Sequence, residues 1–131
     1  FTDQFYHTDR DRIEMVSAAT LGNVGNCALS TGLLLTAGSR EITAAALREL
    51  AGVAERELAT QSALSATAIR GGSTAAAERV VLETWRDYYV SALEKIPDLA
   101  VVGGSWTAEI ATAQDRVRKA AAQALAALGD R

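Results

Sequence analysis

A chain of 131 residues is long enough for one domain with its own core, so it needs neither disulfides nor a structural metal to fold. Its net charge of −3 and isoelectric point near 5.1 argue against a nucleic-acid partner, because phosphate binding requires a clustered basic surface. The single cysteine, Cys27, excludes an internal disulfide and is compatible with a reducing, cytoplasmic compartment.

Three Gly-Ser pairs divide the chain into four segments: Gly38-Ser39, Gly72-Ser73 and Gly104-Ser105. Each pair joins a residue that ends helices to one that suits the N-cap of the next helix. Strand patterns are absent from the sequence, and there is one proline. The sequence therefore predicts an all-α fold in a single domain, 1–131, with helices over about 9–36, 40–69, 74–95 and 106–128. The expected arrangement is a four-helix, antiparallel up-down bundle.

The first predicted helix opens at Thr8 and contains a tract, residues 15–39, without a charged side chain. Its polar residues argue against a membrane span. They fall instead within one sector of a helical wheel: Thr20, Asn23, Asn26, Ser30 and Thr31. The opposite sector forms a candidate apolar interaction face made of Leu21, Val24, Gly25, Ala28, Leu29, Gly32, Leu33 and Leu35.

Each glycine inside this first helix lowers the stability of the helix by roughly 0.5–1 kcal/mol relative to alanine. We therefore expect the glycines to allow a close backbone contact that offsets this loss. Two interpretations stay open: a packed helix–helix contact, or an apolar face offered to a hydrophobic body. The second helix is uncharged only from Leu58 to Ile69. In an antiparallel hairpin this segment can lie beside only about half of the uncharged tract of the first helix. We therefore expect part of this surface to meet another chain, giving a homo-oligomer.

The remaining helices show apolar stripes at helical spacing. The second helix has one at Leu47, Leu50, Ala54 and Leu58; the third at Val81, Trp85, Tyr88 and Ala92, before Pro97 ends it; the fourth at Trp106, Ile110, Ala113, Val117, Ala120, Ala124 and Leu128. These predict bundle faces with Trp85 and Trp106 substantially buried. The aromatic cluster Trp85, Tyr88 and Tyr89 offers a stacking surface for a flat ligand, although such spacing is more typical of a core.

Catalytic and metal-binding patterns do not emerge from the sequence. His7 lies near acidic residues, but a solvated helix end is the favoured interpretation over a metal site. The sequence has no Glu-x-x-His motif for a di-iron bundle, no haem attachment motif and no phosphate loop. We expect no catalytic residue, no metal and no cofactor, and hence a non-enzymatic protein.

Two segments resemble phasins, the helical proteins that coat intracellular polyhydroxyalkanoate granules. They are "SREITAAALRELAGVAERELATQSALSATAIRGG" and, after a short break, "AAAERVVLETWRDYYVSALEKI". The similar features are a long helix opening Ser-x-Glu-Ile, a neutral alanine-rich tract, and an aromatic-Arg-Asp-Tyr-Tyr step at residues 85–89. The resemblance covers about residues 39–96. It implies a cytoplasmic, granule-associated structural protein of bacterial type that is amphipathic, often self-associating and not an enzyme.

An alternative function stays open beside the coat protein. An up-down-up-down bundle places both termini at one end, as a sensory input or docking module of a larger receptor requires, and an oligomeric scaffold is equally compatible with the helices. The partners expected are therefore a second copy of the chain, a hydrophobic polymer or lipid-like surface, or another helical protein. Hydrophobic spans on both sides of this sequence would favour the receptor module.

Overall fold

The computed structural model describes residues 8–10, 12–100 and 103–129, and within them the chain is all-α with four α-helices and no strand. The helices are α1 (Ala18–Ala37), α2 (Arg40–Arg70), α3 (Ala75–Lys95) and α4 (Thr107–Leu128). Short 3₁₀ turns lie at Ile13–Met15 and Ile96–Leu99. The all-α, four-helix prediction is confirmed, and the helix-packing contacts connect α2, α3 and α4. His7 lies outside the described residues.

The chain divides into two compact units, Phe1–Ala37 and Gly38–Arg131. In the first unit, the predicted helix start near residue 9 was wrong, because α1 begins only at Ala18. Val16 has an extended backbone, and the Ser17 hydroxyl accepts a hydrogen bond from the Thr20 amide at 3.2 Å, which caps the helix there. Asp9 thus precedes the 3₁₀ turn and Glu14 lies within it, so neither opens the α-helix.

In the second unit, the predicted helix bounds agree with the structure to within one residue, although the caps differ from those expected. Ser39 caps α2 by accepting a hydrogen bond from the Ile42 amide at 3.3 Å. Thr74, not Ser73, caps α3, and α4 begins after Trp106 without a side-chain cap. Ser73 instead donates a hydrogen bond to Glu78 at 2.6 Å, and hydrogen bonds from Ser73 and Ser65 lower the pKa of that carboxyl.

The second unit is a three-helix arrangement with a core of its own. Its larger cluster joins α2, α3 and α4, and its largest fully buried side chains include Leu47, Leu58, Leu93 and Val117. A smaller cluster around Leu82 lies toward the end of α4. Side-chain contacts show how the three helices run relative to one another. Residues near the start of α2 contact the start of α4, and residues near the end of α2 contact the end of α4. The end of α3 meets the first half of α4, so α2 and α4 run parallel and α3 runs antiparallel to both.

The buried stripe of α3 differs from the predicted one by a single residue. Leu82, Tyr89 and Leu93 are buried, whereas Val81 and Tyr88 are exposed. Leu82, Tyr89 and Leu93 follow the same helical spacing, so periodicity alone did not distinguish the two registers. The expectation for the two tryptophans holds fully for Trp106, which is 6 % exposed. Trp85 is only partly buried.

Candidate functional site

The candidate apolar face lies on α1, a helix of 20 residues whose side chains include no charge and none that is buried. Its large members, Leu21, Val24, Leu29, Leu33 and Leu35, are between 54 % and 63 % exposed. At about 100° per residue these side chains lie on one side of the helix. Exposed leucines in this number and on one face are typical of a surface that binds another apolar body.

Glycines occupy the middle of this face. Gly25 and Gly32, seven residues apart, have Leu21 on one side and Leu29 on the other when the helix is viewed along its axis. A Cβ atom added at either glycine would meet no heavy atom within 4 Å. The close contact expected to repay these glycines is therefore not among the contacts of the described residues.

The opposite side of α1 is polar but uncharged. On this side the Thr31 hydroxyl donates to the Cys27 carbonyl at 2.9 Å. Thr36 lies on the apolar side, between Gly25 and Leu29, and its hydroxyl likewise donates within the helix, to the Gly32 carbonyl at 2.8 Å. These hydroxyl donors are thereby satisfied within the helix, which lowers the cost of bringing α1 to an apolar phase. Cys27 is exposed and lies on this polar side, opposite Leu29.

The aromatic cluster predicted on α3 is present. The Trp85 and Tyr89 rings stack with centroids 5.9 Å apart, and Tyr88 meets Tyr89 edge to face at 5.1 Å. Burial raises the pKa of the Tyr89 phenol, and the nearby Glu57 carboxylate adds to this. Because each ring contacts another ring of the cluster and Tyr89 is buried, packing accounts for most of this arrangement. Tyr88, 61 % exposed, is its outward part.

Ionic contacts that fix the register of α2 against α4 were not foreseen from the sequence. Arg116 donates two hydrogen bonds to Glu55, at 2.9 and 2.7 Å, and these hold the pKa of the Glu55 carboxyl below its usual value. Near the start of both helices, Arg40 pairs with Glu109 and lies over the Trp106 ring at 4.5 Å. The partners are more than sixty residues apart in the chain, so no local spacing signals these pairs.

Two general properties of the chain bear on its function: its capacity to span a membrane and its similarity to known proteins. Among its described residues, no helix is both long enough and hydrophobic enough to cross a membrane. The chain matches no protein-family model, and neither curated proteins nor solved structures yield a match. The resemblance to phasins therefore stays a prediction, as do the expected absence of catalytic residues, metal and cofactor.

Proposed function

We propose that the chain is a non-enzymatic structural protein whose α1 binds hydrophobic polyester through its apolar face, in the manner of a phasin coat. The observation that carries this proposal is the exposure of the leucines on an uncharged helix. Fully burying one leucine contributes about 1.5–3 kcal/mol, so several of them on one helix give useful affinity without any charge. In this proposal the protein is cytoplasmic and associated with granules.

The absence of charge on α1 favours an uncharged hydrophobic surface over an anionic membrane. Helices that bind anionic membranes carry lysine or arginine on their polar face, where each contributes about 1 kcal/mol near the surface. The polar face of α1 carries none. An uncharged polymer surface therefore fits this helix better than anionic lipid does.

Self-association is part of the same proposal. The glycines in the middle of the face permit the backbones of two α1 helices to approach closely, as in small-residue helix contacts generally. Sedimentation should then detect dimers or larger species at micromolar concentration. A strictly monomeric chain, or a Gly25→Leu variant that assembles as the parent does, would contradict self-association, because overpacking a close crossing costs roughly 1–3 kcal/mol.

The test of coating is retention on polyester particles at low and at high salt, with anionic vesicles as the comparison. We expect retention on polyester that does not change with salt, because screening affects charge but not apolar burial. Leu29→Asp and Leu33→Asp should reduce retention strongly. Asn26→Asp and Ser30→Asp add the same charge to the polar side of the same helix and serve as matched controls.

Every variant is first checked for parental helicity and urea midpoint, so that loss of binding is not confused with loss of fold. Retention that high salt abolishes would refute the proposal. Equal effects of the aspartates on both sides of α1 would refute it as well. If the protein fails to bind the polymer at all, the docking or sensory module becomes the better description.

A further inference from the structure

A cleft of about 270 Å³ lies between the first halves of α2 and α4. Its wall is apolar where the helices meet: the buried side chains of Leu47 and Ala113 lie there together with Ala44 and Ala108. The small alanine side chains on both helices leave space that longer residues would fill. The volume is near the lower limit of small-molecule sites, so a ligand with a short chain suits it.

The charges that line the cleft are not balanced. Two of the ionic groups there are already paired: Arg116 with Glu55, and Glu109 with Arg40. The Thr112 hydroxyl donates to the Ala108 carbonyl within α4.

Arg48 also lines the cleft, and in the described part of the chain it has no carboxylate within ion-pair distance. The wall thus presents one uncompensated positive charge beside an apolar surface, in a chain whose net charge is negative.

We infer that this cleft binds a short- or medium-chain monocarboxylate, with the alkyl chain against the alanines and Leu47 and the carboxylate on Arg48. A guanidinium binds a carboxylate through two parallel hydrogen bonds, which a single anionic head satisfies. One free arginine matches one carboxylate, and the apolar wall disfavours a second charge. The site lies on the helices of the second unit and goes beyond the polymer surface proposed for α1.

The test is titration of the full chain with octanoate, kept below its micelle concentration and followed by ¹H–¹⁵N amide shifts. We expect saturable shifts at residues that line the cleft. Arg48→Gln should weaken octanoate binding about tenfold, whereas Arg79→Gln, at an exposed arginine of α3, should leave it unchanged. Ala108→Leu, which fills the cleft, should remove binding while the urea midpoint stays parental.

Two further ligands separate the contributions of chain and head group. Octanol retains the chain without the carboxylate, and acetate retains the carboxylate without the chain; each should bind at least about tenfold more weakly than octanoate. Octanol that binds as tightly as octanoate would overturn the role of Arg48. Octanoate shifts that are absent, that lie elsewhere, or that Arg48→Gln leaves within about twofold would overturn the site.

Discussion

The most informative single substitution in the bundle is Gln114→Glu, which preserves shape and exchanges an amide donor for a charged acceptor. Gln114 on α4 is 8 % exposed, and its Nε2 donates to the Val90 carbonyl at 3.1 Å and to the Glu94 carboxylate at 3.0 Å. Its Oε1 accepts from Arg118 at 3.2 Å. The two donated bonds join the first half of α4 to the end of α3.

The magnitude follows from those contacts. The substitution removes two donated hydrogen bonds, each contributing about 1 kcal/mol, and places a carboxylate beside Glu94. Glu94 is exposed and can turn toward water, which limits the repulsion, and the contact with Arg118 is retained. We expect a loss of roughly 2–3 kcal/mol in the free energy of unfolding at neutral pH.

The sign of the pH dependence gives a second check. Burial and Glu94 both raise the pKa of the introduced carboxyl above its unfolded value, and they outweigh the retained contact with Arg118, which is exposed to water; the protonated form also regains a donor. The destabilisation should therefore shrink as pH falls through that raised pKa. Urea unfolding, followed by circular dichroism at neutral and mildly acidic pH, measures both effects. Gln114→Met removes the same two hydrogen bonds but adds no charge and buries an apolar side chain, which offsets part of their loss, so it should lose only about 1 kcal/mol. A Gln114→Glu variant as stable as the parent at neutral pH, or a loss independent of pH, would refute the reasoning.

Two other substitutions test polar contacts within the second unit. The Thr43 hydroxyl is buried and has no hydrogen-bond partner among the residues that the structure describes, so Thr43→Val should raise the free energy of unfolding by about 1 kcal/mol. A destabilised variant would show that the hydroxyl is satisfied in solution. Glu55→Gln should cost about 0.5–1 kcal/mol at neutral pH, since the pair with Arg116 is bidentate but more than a third exposed. Because the folded-state pKa of Glu55 is lowered, this stabilisation is complete above the unfolded pKa and lost as pH falls through the folded one. A Glu55→Gln loss that persists in acid would contradict the assignment.

Local sequence signals predicted most of the helix bounds. Ser39 and Gly129 mark the start of α2 and the end of α4 because capping and a positive φ depend on the residue itself. The start of α1 was mispredicted because acidic residues before Val16 imitate a first helical turn, while the structure places the cap at Ser17. The stripe of α3 was displaced by one residue because Tyr88 and Tyr89 are alike in polarity and size, and only packing separates them.

Of the two candidate sites, the sequence predicted one and not the other. The apolar face of α1 was predicted from periodicity alone, because a helix places its side chains every 100° or so. The cleft beside Arg48 was not, since it depends on which residues of α4 meet α2. The parallel register that creates it rests on pairs such as Arg116 with Glu55, whose partners are 61 residues apart and have no local pattern.

The most direct test of the central claim is a comparison of two labelled positions on α1 when the protein is bound to polyester particles. One protein carries an environment-sensitive fluorophore on the native Cys27, and the other carries it on Leu29→Cys with Cys27→Ser. The two positions lie on opposite sides of the helix, and both are exposed. Binding through the apolar face should give a blue shift and protection from an aqueous quencher at position 29, with little change at position 27. Equal changes at the two positions, or no change at position 29 in protein that is bound, would contradict it.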